Sequence, residues 1–368
     1  MNGSQQQAAA TSYSSLLHPA AEKVMLDIKA QGYPGLAYLT PMQARGLMVG
    51  LRQLAGDPEP VARVEDIRIP GSPEIPVRLY LPDGRRPLPI VVYFHGGGWI
   101  AGSCDDWDAP VRMLANRSGC AIISVDYRLA PENKYPAALD DSYAALKWVS
   151  ANGDGFGWDG RKLAVIGDSV GGNLAAAVAL RARDEDGPVI RLQVMVYPVL
   201  DHDYENGSYR QFGASWGVIT RNDMASVQCQ YVSHPDQLDL PYVSPWRCAD
   251  LSRLPNALII LAEADPLRDE ALDYARRLHA SGVAVETRVY TGMIYGFWQM
   301  GGVLPQGREA IQEAATLYAH ALLRVWQWPC PLQMQFSRRI GPVLAIHFAH
   351  HIVRRDLADD SGLSLMVM

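Results

Sequence analysis

Five consecutive residues near the middle of the chain have the types and spacing of a nucleophile site. Gly167-Asp168-Ser169-Val170-Gly171 follows the apolar run LAVI and precedes the helical pattern NLAAAVAL. A G-x-S-x-G sequence between a strand and a helix predicts a nucleophile elbow, in which glycines permit a very tight turn. The serine oxygen is then exposed above the helix N-terminus, which favours negative charge. We therefore predict Ser169 as the nucleophile of an acyl transfer.

A glycine triplet upstream predicts the groups that would stabilise the reaction's negative charge. The stretch VVYFHGGGW places Gly96, Gly97 and Gly98 just after an apolar run. Acyl transfer builds charge on a carbonyl oxygen, and only glycines let backbone N–H groups approach it so closely. We assign the oxyanion hole to the N–H groups of Gly96, Gly97 and Val170. His95 is interpreted as a residue that holds this loop and not as a base.

An acid comes after a later apolar run, in LIILAEADPLRDEA. Asp265 lies after the serine and before the expected base, which is the chain order of this kind of triad. Its role would be to orient the base and stabilise the base's positive charge. Glu263 and Asp269 compete for this role. We place Glu263 within the strand end and Asp269 in the first turn of the next helix, where acids are favoured.

Alternating strand and helix patterns predict the fold that positions these residues. Eight candidate strands are present, and the first two indicate a hairpin. Helical patterns separate most of the others, as in a doubly wound, mostly parallel α/β sheet. The strand candidates are ARVEDIRIP, IPVRLYLP, LPIVVYFHGG, CAIISVDY, KLAVIGDS, LQVMVYPVL, ALIILAEAD and VETRVYTGM.

Two regions outside the sheet are candidates for a cap over its C-terminal edge. Residues 1–55 contain helical patterns, one of them opened by Thr40 and Pro41. The long connection at 201–245 has no strand pattern and indicates an inserted subdomain. Residues 56–200 and 246–326 would then form the catalytic core, and 327–368 a C-terminal extension of unknown role.

Composition limits the kinds of binding partner and the cellular location that we expect for this protein. The net charge of −6 argues against nucleic acid, because phosphate binding needs clustered basic residues. Five scattered cysteines lack metal-site spacing and are interpreted as free thiols: Cys104, Cys120, Cys229, Cys248 and Cys330. No motif for a metal or a cofactor is found. The N-terminus lacks a signal-peptide pattern and no run is long enough to span a bilayer, so we expect a cytoplasmic protein.

Taken in order, the motifs HGGGW, DYRLAPENKYPAALDD, GDSVGGN, EADPLRDE and GMIYGFW resemble those of the hormone-sensitive lipase family of α/β-hydrolases. Within it the similarity is to bacterial esterases with a GDSAG-like elbow, over residues 15–326. The resemblance implies an eight-stranded sheet with a helical cap and cofactor-free hydrolysis of short-chain carboxylic esters. It also implies that Asp126, Tyr127 and Arg128 support the structure. A homodimer is left open.

The sequence departs from that family at the position of the base. The family pattern has histidine before the glycine and aromatic residue, and here Tyr295 occupies that place. Imidazole has two nitrogens, so it can donate to Asp265 and accept the serine proton, whereas a phenol has one oxygen. The ordinary tyrosine pKa of about 10 leaves only about one molecule in a thousand as phenolate near neutral pH.

Tyr295 leaves three hypotheses about the activity open. The chain is an esterase weakened by this residue, or an alkaline esterase with Tyr295 phenolate as base, or an esterase that uses His202 instead. We favour the first two and interpret His202 as a surface residue at the cap hinge. A different class is also kept: a silenced hydrolase fold that binds a small molecule, as plant gibberellin receptors resemble this family and lack the histidine.

Two further regions are less informative. Aromatic residues of the cap region suggest an apolar substrate pocket or simply core: Trp216, Tyr231 and Trp246. Residues 327–355 contain four arginines and no acid, and the apolar stretch IGPVLAIHFAHHIV is too short to span a membrane. We interpret this tail as an extension without a catalytic role.

Overall fold

A computed structural model describes residues 16–32, 34–214 and 218–323. It contains eight strands in one sheet, as predicted. The strands are β1 (Arg63–Ile69), β2 (Ile75–Leu81), β3 (Leu88–Phe94), β4 (Ala121–Val125), β5 (Trp158–Asp168), β6 (Leu192–Val196), β7 (Asn256–Ala264) and β8 (Val285–Ile294).

Ten helices accompany the sheet in the described ranges. They are α1 (Pro19–Ala30), α2 (Pro41–Leu51), α3 (Asp108–Ser118), α4 (Ala137–Ala151), α5 (Gly153–Phe156), α6 (Val170–Asp184), α7 (Gly207–Phe212), α8 (Arg221–Tyr231), α9 (Arg268–Ala280) and α10 (Pro305–Leu323). Short 3₁₀ turns connect several of them, among them Leu36–Tyr38 and Phe297–Gln299.

The sheet is mostly parallel, in the order β1-β2-β4-β3-β5-β6-β7-β8. β1 and β2 form the predicted antiparallel hairpin, and β2 also runs antiparallel to β4. All remaining neighbours are parallel. β3 and β6 are buried along their whole length, which explains why their sequences are apolar apart from Gln193 in β6. The predicted α/β-hydrolase architecture is confirmed, and it brings the carboxyl ends of the parallel strands to one edge.

Two separate parts of the chain meet above that edge. The N-terminal part contributes α1 and α2, and α2 begins with the predicted cap, since Thr40 and Gln43 form a reciprocal capping box. The insertion after β6 contributes α7 and α8. Its Asp223 accepts a hydrogen bond from the backbone N–H of Ala37 at 2.8 Å. The domain boundaries drawn from the sequence stay predictions, and residues 1–15 and 324–368, with the tail, lie outside the described residues.

Two expectations from composition can be compared with the described ranges. Cys104, Cys120, Cys229 and Cys248 are free there, and Cys330 lies outside those ranges. None of the helices in the same ranges combines the length and the apolarity needed to cross a bilayer.

Candidate active site

Ser169 lies at a sharp turn between β5 and α6. Its backbone has φ +57° and ψ −119°, a conformation that is strained for a residue with a side chain. Hydrogen bonds hold the turn, because Ser169 donates its N–H to Val196 O at 2.8 Å and accepts from Asn173 N at 3.1 Å. The first residue of α6 is Val170, whose N–H is therefore at a helix N-terminus. The chain thus folds into the strand–turn–helix context that the sequence predicted.

Close backbone packing explains the glycines of this turn. A Cβ atom on Gly167 would lie 2.1 Å from Gly171 O, and one on Gly171 would lie 2.0 Å from Phe94 O. Neither distance is sterically possible, so any larger residue would push the turn away from β3. The glycines therefore hold the serine close to the end of β3, where the glycine triplet begins.

The glycine triplet lies directly beside the serine turn. A Cβ atom on Gly96 would be 2.6 Å from Asp168 Oδ2, so this loop and the turn are in contact. Gly97 has φ +107°, and its carbonyl accepts from Ala101 N at 3.0 Å. A Cβ there would meet Ala101 O at 2.2 Å. The loop is thus closed on itself in a conformation that requires glycine, with backbone groups next to Ser169.

His95 and the DYR stretch support this loop, in agreement with their predicted structural role. The His95 ring is fully buried, stacks on Tyr127 at 4.3 Å and donates from Nδ1 to Gly96 O at 2.8 Å. Tyr127 Oη donates to His95 O at 2.7 Å. Asp126 accepts from Cys104 N, and Arg128 pairs with the buried Asp141 at 2.8 Å. The contacts of His95 and Tyr127 hold the first residues of the glycine loop in place.

Asp265 is the first residue after β7 and is fully buried. Its Oδ1 accepts from Leu267 N at 2.8 Å. Among the described residues its Oδ2 has no hydrogen-bond partner. Burial raises the pKa of the Asp265 carboxyl to about 7, because little compensates the loss of water around its charge. A buried carboxylate oxygen without a donor is where the N–H of a histidine base would belong.

Tyr295 is the residue immediately after β8, and it reaches the serine. Its Oη donates to Ser169 Oγ at 2.6 Å, and its ring lies 4.9 Å from the ring of Tyr197. Burial raises the pKa of the Tyr295 phenol well above its usual value, and the charges of Asp168 and Asp265 raise it further. The structure therefore brings two predicted residues together, Ser169 and Tyr295. Tyr295 Oη is not the missing donor to Asp265, whose Oδ2 has no partner within the described ranges.

The competing residues lie where the sequence analysis placed them. Glu263 is within β7, and Asp269 is in the first turn of α9, paired with Arg268 at 2.9 Å. The His202 ring lies beside Ser244, Asp201 and Asp239, at 3.5 to 3.7 Å. Within the described ranges no contact joins the ring of His202 to Ser169.

Two buried acids near the site were not identified from the sequence. Asp168 accepts from Tyr93 Oη at 2.9 Å, and burial raises the pKa of its carboxyl to about 7. Glu270 accepts from Leu200 N at 2.7 Å, so α9 is tied to the chain that leaves β6. Asp168 is the variable residue of the elbow motif, and Glu270 looks like an ordinary acid of a helix's first turn. No periodicity marks either residue as buried.

The cap aromatics divide between core and surface. Tyr231 is fully buried and stacks on Trp99 of the glycine loop at 4.3 Å. Trp246 donates from its indole nitrogen to Asp273 at 2.6 Å and packs under Arg277. Tyr231 is therefore part of the core, whereas Trp246 is half-buried and is held by Asp273 and Arg277. Trp216 lies outside the described residues.

Comparison with known protein families adds to this geometry. The α/β hydrolase fold family matches residues 91–299. The carboxylesterase NlhH of Mycobacterium tuberculosis is 41% identical over 280 residues, which are 74% of this chain and 88% of the relative. The carboxylic ester hydrolase LipN of the same organism is 38% identical over 316 residues, which are 83% of each chain.

Solved structures of esterases also superpose on this chain. The hyperthermophilic esterase of Pyrobaculum calidifontis superposes with a TM-score of 0.79 at 41% identity, covering 83% of this chain and 98% of that one. A thermostable esterase from Pseudomonas putida also superposes with a TM-score of 0.79, at 33% identity and with the same coverage.

Proposed function

Because this chain belongs to the α/β hydrolase fold family, and within it to the hormone-sensitive-lipase-like carboxylesterases, we propose that it hydrolyses short-chain carboxylic esters through Ser169, at a rate lowered by Tyr295. The family and the enzyme class predicted from the motifs are confirmed. The roles of individual residues, the short-chain substrate and the lowered rate are part of the proposal.

The proposed reaction has two steps. Ser169 Oγ attacks the ester carbonyl carbon, and the N–H groups of Gly96, Gly97 and Val170 stabilise the resulting oxyanion. The alcohol leaves with a proton, and an acyl group remains on Ser169. Water then attacks the acyl group and releases the carboxylic acid, which frees the serine. Both steps require a group that removes a proton from the attacking oxygen.

One observation carries the lowered rate: Tyr295 donates to Ser169 Oγ while Asp265 Oδ2 lacks a partner among the described residues. A neutral phenol is too weak a base to remove the serine's own proton, whichever of the two hydroxyls donates in this bond. Asp265 likewise has no hydrogen-bonded connection to Ser169 among the described residues, because no base lies between the two. Ser169 is thus bound, buried and strained, yet without a base.

The raised pKa of Tyr295 argues against the alkaline alternative. Phenolate forms only when the pH approaches the phenol's pKa, and burial moves that pKa well above its usual value. We therefore propose impairment over an alkaline optimum. The silenced small-molecule binding protein considered from the sequence stays a prediction that no contact of the site favours.

The deciding experiment replaces Tyr295 by histidine. Histidine restores a group that can donate to Asp265 Oδ2 and accept the proton of Ser169 Oγ. Loss of one triad member lowers turnover by roughly 10⁴- to 10⁶-fold, so we expect Tyr295→His to raise kcat for p-nitrophenyl butyrate by about 10³-fold or more. The measurement is initial rate at pH 7 to 8 with purified full-length protein.

Serine controls separate this reaction from background hydrolysis. Ser169→Ala in the Tyr295→His background should lower kcat back to that of the unmodified chain or below it. An unchanged rate in Tyr295→His would contradict the proposed cause of impairment. A rate that survives Ser169→Ala would contradict the nucleophile.

A further inference from the structure

The two strands that carry Asp265 and Tyr295 lose their register just before those residues. β7 and β8 pair regularly up to Ala262 and Tyr290, and the next pair is Ala264 with Ile294. β7 therefore advances by two residues while β8 advances by four. The two extra residues form a bulge in β8, and a bulge bends its strand and redirects the residues beyond it. The first residue beyond this strand is Tyr295.

Glu263 is the β7 residue opposite this bulge. Its Oε2 accepts the backbone N–H of Gly292 at 2.8 Å. β8 is the last strand in the sheet order, and its pairing with β7 is interrupted at this point. The glutamate side chain therefore satisfies the N–H of Gly292 and ties the bulge to β7, the strand that ends just before Asp265.

Gly292 is held from the other side as well. Its carbonyl accepts from the N–H of His18, the residue that caps α1, at 3.0 Å. Gly292 has φ +73°, and a Cβ there would lie 2.8 Å from His18 N. A glycine is required both by this backbone conformation and by the close approach of the cap. The bulge is thus fixed between the sheet and the N-terminal helix.

We propose that Glu263 is a positioning residue, which fixes the β8 bulge and thereby aims the side chain of residue 295 at Ser169. The geometry that carries this is the hydrogen bond that Glu263 accepts from Gly292. Gly292 precedes position 295 by three residues, and Glu263 precedes Asp265 by two. The inference rests on the proposed function, since it concerns the position of the base. It gives Glu263 a role different from the triad acid considered from the sequence.

The test compares three substitutions in the Tyr295→His background. Glu263→Gln keeps an acceptor oxygen at the same place, Glu263→Met removes it at similar volume, and Glu263→Asp keeps the charge but shortens the reach. A misplaced base can cost up to about 10²-fold, so we expect Met and Asp to lower kcat for p-nitrophenyl butyrate by about tenfold or more, with KM changed by less than about threefold. Gln should keep kcat within about threefold.

A purely structural role would give a different pattern. If Glu263 only stabilised the fold, its substitution would lower the thermal midpoint without lowering kcat more than it changes KM. The Gln variant would then not differ from Met and Asp in kcat. If Met does not fold, Asp supplies the same comparison. Equal kcat values for Gln, Met and Asp would overturn the proposal, and so would a loss confined to KM.

A second measurement, by NMR, does not depend on hydrolysis. It tests the role of Glu263 even if the proposed function is wrong. In the chain with its own Tyr295, ¹³Cζ-tyrosine labelling gives an NMR signal for Tyr295, assigned by its loss in Tyr295→Phe. We expect this signal to shift in Glu263→Met and Glu263→Asp and to stay in place in Glu263→Gln. If Tyr295→His is inactive, the proposed function fails, but the signal still decides the role of Glu263. An identical signal in all three variants would overturn it.

Discussion

Tyr295 and histidine differ in what their polar atoms can do at the same position. Tyr295 has one oxygen, and that oxygen is used by its 2.6 Å bond to Ser169 Oγ. Histidine has two nitrogens on opposite sides of its ring, so one can bind Asp265 while the other binds the serine. Among the described residues the Oδ2 of Asp265 is without a partner, while the Tyr295 oxygen bonds to Ser169.

A phenylalanine at this position tests whether the tyrosine oxygen has any role as a base. Tyr295→Phe removes the hydroxyl and keeps the ring that packs on Tyr197. Because a neutral phenol is a very weak base, we expect the proposed slow hydrolysis of p-nitrophenyl butyrate at pH 7 to change by less than about threefold.

The pH dependence of the same pair of proteins sharpens this test. The raised pKa of Tyr295 means that phenolate stays scarce up to about pH 10, so the two rate profiles should rise in parallel with pH. A rate in the unmodified chain that climbs toward about pH 10 and is lost in Tyr295→Phe would instead identify Tyr295 as the base.

At the scale of elements, the serine turn depends on how closely α6 approaches β3. Gly171 is in the first turn of α6, and its missing side chain lets the backbone touch Phe94 O and His95 O. The glycine loop leaves β3 at that same contact. Ser169 and the predicted oxyanion donors are therefore adjacent because two backbones meet without a side chain between them.

Two helix glycines give a matched test of this packing. A Cβ on Gly171 would overlap Phe94 O, so we expect Gly171→Ala to lower the free energy of unfolding by about 3 kcal/mol or more. Gly46 lies on the exposed side of α2 with nothing within 4 Å of a Cβ, so Gly46→Ala should raise it by about 0.5 to 1 kcal/mol. Urea unfolding at constant pH measures both. Similar effects of the two changes would contradict the packing argument.

At the scale of the whole molecule, two buried acids of the candidate site make the folding stability depend on pH. Asp168 and Asp265 are both buried, and burial raises the pKa of each carboxyl to about 7. In the unfolded chain an aspartate has a pKa of about 3.9. The folded protein therefore holds protons between these values that the unfolded chain has released. Its stability from these groups is complete below about pH 4 and is lost as the pH rises through about 7.

Asp265→Asn tests this linkage. The amide stays uncharged at every pH, so the part of the stability loss between about pH 4 and 8 that belongs to Asp265 should disappear. The full shift corresponds to at most about 4 kcal/mol, and relaxation of the protein makes the measured difference smaller. Urea unfolding at several pH values gives the two curves. Parallel curves for the unmodified protein and the variant would contradict the raised pKa of the buried Asp265 carboxyl.

The motifs of the sequence were sufficient to predict the sheet, the serine turn, the glycine loop and the acid after β7. Each depends on local rules: apolar runs form buried strands, and tight turns require glycine at defined places. The resemblance to the esterase family identified position 295 as that of the base and showed that tyrosine stands there in place of histidine. The local rules also placed Thr40 as a helix cap, because capping involves residues only three positions apart.

Only the tertiary structure decided which atoms meet. The bond from Tyr295 to Ser169 joins residues 126 positions apart, and the bond from Gly292 to Glu263 joins residues 29 apart. Such contacts depend on strand register and on burial, which local sequence patterns do not encode. For the same reason the burial of Asp168, Glu270 and Asp265, and the free oxygen that Asp265 has among the described residues, became visible only when the strands were assembled side by side.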